Sequence, residues 1–221
     1  SWTTDPTGFT QIPVGGQIPG STSSVIVLNG RTITIPTGDA ITKTLTSLSL
    51  ESGAVLDITN TTGHDFGVIS GVGLLKMNTI TLPTGSFTAF VSSSGGSIEY
   101  YDLTGTLPSG LSTYNNLLIT NSTASNYTLT LGSDISLNGD FELSRTSTGT
   151  ITFEIGNSTT VRSFTVEGDV LINDATITVA TNNSTHTVIW KGDVTNTDGI
   201  IDFVNGTGEA NVYFQGSSST T

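Results

Sequence analysis

Cysteine is absent from this 221-residue chain. No disulfide can staple the fold and no thiolate can act as nucleophile or metal ligand, so stability must come from core burial and backbone pairing. Charge is scarce, at 11% of residues, and basic charge is scarcest: six Lys and Arg stand against eighteen Asp and Glu, a net charge of −12. Nucleic acids and anionic membranes recruit Lys and Arg, so neither is an expected partner. A solvated extracellular surface suits this balance. No apolar run approaches the ~20 residues of a membrane-spanning helix, so no membrane insertion is expected. Nor does any ten-residue stretch combine helical spacing with caps. The chain opens on Ser1, as expected of a protein whose signal peptide has been removed or of a cloned fragment.

What is present is period two. Segments such as "SVIVL", "RTITI", "YTLTL", "TITFEI", "SFTVEG" and "ATITV" alternate apolar and polar residues between Gly, Asn, Asp and Ser, which is the grammar of strands and turns. They also repeat. Gly139-Asp140, Gly168-Asp169 and Gly192-Asp193 each follow a short alternating run, and Gly216 sits where a fourth pair would open, at intervals of 29, 24 and 24 residues. Each pair is followed by a hydrophobic step (Phe141, Val170, Val194), a second strand ("TITFEI", "ATITVA", "IIDFV") and a third leading into the next Gly. A propeller blade would need roughly 40 residues and four strands. The expected fold is therefore an all-β, right-handed parallel β-helix with about three short strands per rung of about 24 residues. A β-sandwich is the alternative.

The N-terminal half repeats less cleanly, but "SVIVLNGRTITI", "LTSLSLESGAVLDIT" and "FGVISGVGLLKMNTITLP" still read as rungs. Residues 1–20 hold three of the six prolines and are expected to cap the first rung, with Trp2 and Phe9 as plugs. Residues 21–221 are the solenoid. The stretch "SSSGGSIEYYDLTGTLPSGLSTYNN" is expected to bulge from it or to mark a seam between two blocks. Because "GSSSTT" offers no cap, the solenoid is expected to continue in a longer parent or to dock on another copy around Ala210 to Phe214.

Gly-Asp is expected to turn a corner: Gly supplies a positive φ and Asp bonds nearby backbone N–H groups. Stacked in successive rungs, Asp140, Asp169 and Asp193 would form a carboxylate ladder that faces water, caps amides or binds Ca²⁺. The corner role is preferred, and no metal or cofactor site is assigned. A catalytic β-helix needs converging carboxylates or a base beside cations. Here Arg31, Lys43, Lys76, Arg145, Arg162 and Lys191 are scattered, and His64 and His186 sit in turn-like contexts as expected surface residues. No catalytic residue is assigned. Thr-x-Thr pairs such as Thr128/Thr130, Thr150/Thr152 and Thr176/Thr178 are either ordinary solvent-facing strand residues or a hydroxyl ladder. Tyr100, Tyr101 and Tyr114 are expected to pack in the core or seam rather than to stack on sugars. Seven Asn-x-Ser/Thr sequons, at Asn60, Asn121, Asn126, Asn157, Asn182, Asn183 and Asn205, are candidate glycan acceptors.

The motifs Ile98-Glu99-Tyr100, Tyr114-Asn115-Asn116-Leu117 and Leu129-Thr130-Leu131, in that order and ending in the Gly139-Asp140 turn, resemble a recurring unit of large secreted surface proteins of the Bacteroidota. "KGDVTNTDGIIDFVNGTGEANVYFQGSS" resembles the next such unit, and the opening Trp, prolines and "SVIVLNGRTITI" resemble the start of a mature protein of this kind. The resemblance covers most of the chain. One step departs from it: "LTGTL" stands before "PSGLSTYNN" where a hydrophobic-Gln-Thr-Ile step is usual. The resemblance implies a parallel β-helix, export, and a non-catalytic structural or adhesive role in a large cell-surface protein. Alternatives are a subunit of an extracellular filament and a carbohydrate- or ice-binding solenoid. Expected partners are neighbouring repeats or copies of the chain, and surface polysaccharide.

Overall fold

Val, Ile, Leu and Phe alternate with Ser, Thr and Asn over runs of a few residues, which places one set on each face of a strand. Such short runs cannot bury their apolar face alone and do so by stacking. The computed structural model describes residues 19–38, 42–156, 159–181 and 183–216, which form strands and turns with no helix. Three rungs contribute two strands each: β1 (Ser24–Val27) and β2 (Thr32–Thr34), β3 (Ser47–Leu50) and β4 (Val55–Asp57), β5 (Asp65–Gly71) and β6 (Leu74–Met77). The fourth adds a third strand: β7 (Thr84–Ser86), β8 (Ser97–Tyr101) and β9 (Gly105–Thr106). Three-stranded rungs follow: β10 (Thr113–Tyr114), β11 (Asn116–Asn121), β12 (Tyr127–Leu131); β13 (Ile135–Leu137), β14 (Phe141–Arg145), β15 (Ile151–Ile155); β16 (Ser163–Val166), β17 (Val170–Asn173), β18 (Thr176–Val179); β19 (Thr185–Trp190), β20 (Val194–Thr197), β21 (Ile200–Asp202). The hairpin β22 (Val204–Asn205) and β23 (Gly208–Phe214) closes the described chain.

One sheet runs the whole length, in the order β2-β4-β6-β8-β11-β14-β17-β20. It has eight strands, one per rung. A second wall is split into β1-β3-β5-β7 and β10-β13-β16-β19-β23-β22, and the third sheet, β21-β18-β15-β12-β9, starts only in the fourth rung. Among the described strands every ladder is parallel except β22 with β23. Hairpin-connected sheets, as a sandwich requires, are therefore excluded, and the chain is a parallel β-solenoid of eight rungs. Along the long sheet Ile33 pairs with Leu56, Leu56 with Leu75, Leu75 with Ile98, Ile98 with Leu117, Leu117 with Phe141, Phe141 with Val170 and Val170 with Val194. The rung length is thus 23, 19, 23, 19, 24, 29 and 24 residues in turn.

Two features differ from the sequence reading. Among the described residues the first three rungs show two strands each, not three, and "TITL" (residues 79–82) lies in no ladder although it alternates. Alternation makes a strand only when a lateral partner exists, and the third sheet begins later, at β9. The stretch around "GSIEYY" is not irregular: Ser97–Tyr101 is β8, paired on both edges. The seam expected there is in the second wall, where no ladder joins β7 to β10. The expected cap with Trp2 and Phe9 lies outside the described residues.

The inward columns form one continuous core, which includes Leu75, Ile98, Leu117, Phe141 and Val170 of the long sheet. Phe141, Phe153 and Phe164, one from each sheet, pack with ring centroids 5.0–5.3 Å apart. Each such buried side chain contributes about 1.5–3 kcal/mol. Val166, Val170, Ile177 and Trp190 are all buried, whereas Glu167 is exposed and Thr176 half-buried.

Candidate functional site

The Gly-Asp pairs lie between β13 and β14, β16 and β17, and β19 and β20, stacked at one corner of the solenoid. The backbone ladder continues through this corner: Gly168 N–H donates to Gly139 O (3.0 Å) and Gly192 N–H to Gly168 O (3.1 Å). The Asp side chains bond from rung to rung. Asp169 N–H donates to Asp140 Oδ1 (2.8 Å), and Asp193 N–H to Asp169 Oδ1 (2.9 Å). One rung earlier the acceptor is Asn116, whose Oδ1 receives Asp140 N–H at 2.8 Å. Asn116 and its neighbour Asn115, whose carbonyl accepts Gly139 N–H (2.9 Å), take the place of Asp and Gly there. This member was missed in the sequence, although it lies 24 residues before Asp140 and directly before the hydrophobic Leu117. All three Asp residues are exposed. Water therefore screens their mutual repulsion, while Asp140 and Asp169 each cap an amide of the next rung.

The glycines are not at positive φ; that expectation is corrected. They are required by close approach. A Cβ on Gly192 would overlap the Gly168 carbonyl and stand 2.5 Å from Asp169 Oδ1, and one on Gly168 would stand 2.6 Å from the Gly139 carbonyl carbon. Gly216 is roomier: a Cβ there would be 3.6 Å from Lys191 O. Residues at positive φ mark a different corner, after the long-sheet strands, at Asp102, Asp174 and Asp198. Their short side chains tolerate the left-handed region, and Asp102 also accepts from Ser122 N–H and Oγ at 2.6 and 2.7 Å.

Both histidines are buried, contrary to the surface position expected from their turn-like context. His186 shares the inward parity of Val188 and Trp190 on β19. Its Nδ1 accepts Arg162 N–H at 3.0 Å, as His64 Nδ1 accepts Lys43 N–H at 3.1 Å. Each ring thus supplies a backbone N–H with an acceptor from the following rung. His64 completes its pairing through Nε2 to Thr61 Oγ1 (2.8 Å), whose hydroxyl in turn donates to Ile58 O, and stacks on Phe66. Burial, and then the Arg162 charge, hold the His186 pKa below its ordinary value, consistent with a neutral structural ring.

Tyr100 and Tyr114 are core residues with hydroxyls 3.4 Å apart. Burial raises Tyr100 well above its ordinary value, and pushes Tyr114 up to about 12 although the hydrogen bond with Tyr100 pulls it down. Tyr101 faces out: its hydroxyl donates to Asp57 (3.1 Å), its ring lies 4.4 Å from Lys76 Nζ, and burial followed by Asp57 raises its pKa. Lys76 pairs with Glu99 at 2.9 Å, Arg145 with Asp174 at 2.7 Å and Lys191 with Glu167 at 2.8 Å. Among the described residues no three His, Asp or Glu converge to hold a metal ion.

Of the sequons, Asn60, Asn126 and Asn183 are exposed and Asn205 is half-buried with its amide on Val179 O (3.1 Å). Asn121 is buried, with its amide on Ser125 O and Thr150 O, so in the folded chain it is closed to a glycan. Asn157 and Asn182 lie outside the described residues. Thr128, Thr152 and Thr176 stack in register, but the column passes to Ile200. Comparison with known proteins finds no matching family model, no matching curated protein and no matching solved structure, so the parallel β-solenoid of repeated rungs rests on the strand ladders themselves.

Proposed function

We propose that this chain is a non-catalytic structural and adhesive segment of a large extracellular cell-surface protein, of the kind it resembles among the Bacteroidota. The observation that carries this reading is the uninterrupted core and long sheet linking all eight rungs. Parallel ladders bonded along the axis make a stiff rod, as suits a part that spaces or bears load. Two of the Gly-Asp acids, Asp140 and Asp169, hold backbone amides of the next rung, a role that serves the rod rather than a reaction. Polar outward positions and the acidic balance suit contact with water, surface polysaccharide and neighbouring repeats.

A filament subunit is the second reading, and one observation favours it. In the last rung Ile201 and Phe214 continue core columns yet are exposed, Phe214 at 67%. Another rung, from this protein or a copy, would bury them. A regular Thr face for ice or polysaccharide is not favoured, because the column beside Thr128–Thr152–Thr176 contains Glu154 and Asp202. The test is immunogold labelling of intact source cells with an antibody to this chain, paired with deletion of its gene. Labelling at the surface and loss of attachment to solid or polysaccharide supports are expected. Cytosolic label, or unchanged attachment and surface morphology, would overturn the proposal.

A further inference from the structure

The second wall is interrupted once, between β7 and β10, although the same two rungs remain paired in the long sheet through β8 and β11. The ten residues Phe87 to Gly96 between β7 and β8, where later rungs use three or fewer, splay the wall open. What remains is a groove of about 330 Å³. Its lips are strand edges. On one lip, Thr84 and Ser86 pair with β5, and Thr84 N–H donates to His64 O. Successive peptide groups point to opposite edges of a strand, so the N–H and C=O of Gly85 face the groove. On the other lip, Ser112 O and Tyr114 O accept from Ser136 and Asn138 of the next rung. The N–H and C=O of Thr113 therefore face the groove from the far side. The floor is apolar, made by Phe87 and Leu111 with Val91 beside them, and among the described residues no charged side chain lines it.

We infer that this groove is a strand-acceptor site, which takes an extended, uncharged peptide segment whose alternate side chains are apolar. Each lip offers one donor and one acceptor in the alternation that a peptide backbone matches, and both flanking sheets are already built by that pairing. The apolar floor suits every second side chain of the guest, while Ser86, Thr88 and Ser112 meet its polar ones. The absence of lining charge disfavours acidic or basic guests in a chain whose surface is otherwise acidic.

The probe is the capped peptide acetyl-Ser-Thr-Val-Thr-Val-Ser-amide, titrated into the ¹⁵N-labelled 221-residue protein to roughly millimolar concentration, the weak end of the affinity scale. Saturable shifts and slowed hydrogen exchange are expected at Gly85 and Thr113. An analogue N-methylated at alternate residues should bind about tenfold more weakly, since it loses backbone hydrogen bonds. Ser86→Arg, at an exposed lip position that leaves the core intact, should weaken the unmodified peptide to a similar degree. Absence of saturable shifts, equal binding of the N-methylated analogue, or shifts produced instead by xylohexaose would each overturn the proposal, the last in favour of a glycan groove.

Discussion

Replacing Gly192 with Ala tests the close packing of the Gly-Asp corner. The new methyl group would overlap the Gly168 carbonyl and approach Asp169 Oδ1 to 2.5 Å. Both obstacles are held: the carbonyl accepts Gly192 N–H and the carboxylate accepts Asp193 N–H. Relief requires the seventh and eighth rungs to part. Overpacking of a fixed site costs about 1–3 kcal/mol, and weakening a hydrogen bond to a carboxylate adds about 1.5 kcal/mol. A loss of about 3 kcal/mol is expected, or roughly 6–12 °C in Tm for a chain of this length. The control is Gly110→Ala. No atom lies within 4 Å of that Cβ and its φ is not positive, so the change should be neutral or stabilising by about 0.5 kcal/mol through the unfolded chain. Circular-dichroism melts and urea titrations of both variants give the comparison. Exchange of β19 and β20 amides would locate the damage, since solenoid rungs lose stability with their neighbours. If Gly192→Ala melts within 2 °C of Gly110→Ala, roughly 1 kcal/mol or less, the steric argument is wrong.

Asp169→Asn should be mild, because Asn116 fills the same role naturally one rung before Asp140, whereas Asp169→Ala should lose about 0.5–1.5 kcal/mol by leaving the exposed Asp193 N–H to water. Equal urea midpoints for the two variants would refute the ladder. Stability should also fall in mild acid through His186. Its folded pKa is lowered, so below the unfolded value of about 6.5 the unfolded chain binds the extra proton and stability drops as pH falls toward the folded value, by at most about 1.4 kcal/mol per pH unit. His186→Phe should flatten that part of the profile, and an unchanged slope would count against a buried neutral ring. The cavity of about 30 Å³ among Val25, Ile33, Leu48 and Phe66 should accept the extra methylene of Val25→Ile with a gain of up to about 0.7 kcal/mol at ~24 cal/mol per Å³. A lower urea midpoint would show that the cavity is closed to that side chain.

Much of the architecture was legible because the repeating unit is local. Period-two alternation set the strands, and the 24- to 29-residue recurrence of Gly-Asp set the register, so that Phe141, Val170 and Val194 fell into one column. The inward parity of Val166, Val170, Ile177 and Trp190 followed from the same alternation, which a pleated strand enforces residue by residue. Other features depended on what stands opposite. "TITL" alternates as well as β18 does, yet has no ladder, because the third sheet had not begun. The His64 and His186 contexts read as turns, but both rings lie inward on amides of the previous rung, His186 by parity along β19 and His64 just ahead of β5. The same holds at the Gly-Asp corner. Sequence determined that a glycine recurs there; only stacking at the ~4.8 Å strand spacing decided that its hydrogen was needed for room beneath the next carbonyl rather than for a positive φ. Sequence likewise marked residues 92–116 as a bulge or a seam. Only the tertiary structure decided that β7 and β10 would remain apart with their backbone edges open, because strand pairing depends on the distance between two segments that neither encodes alone.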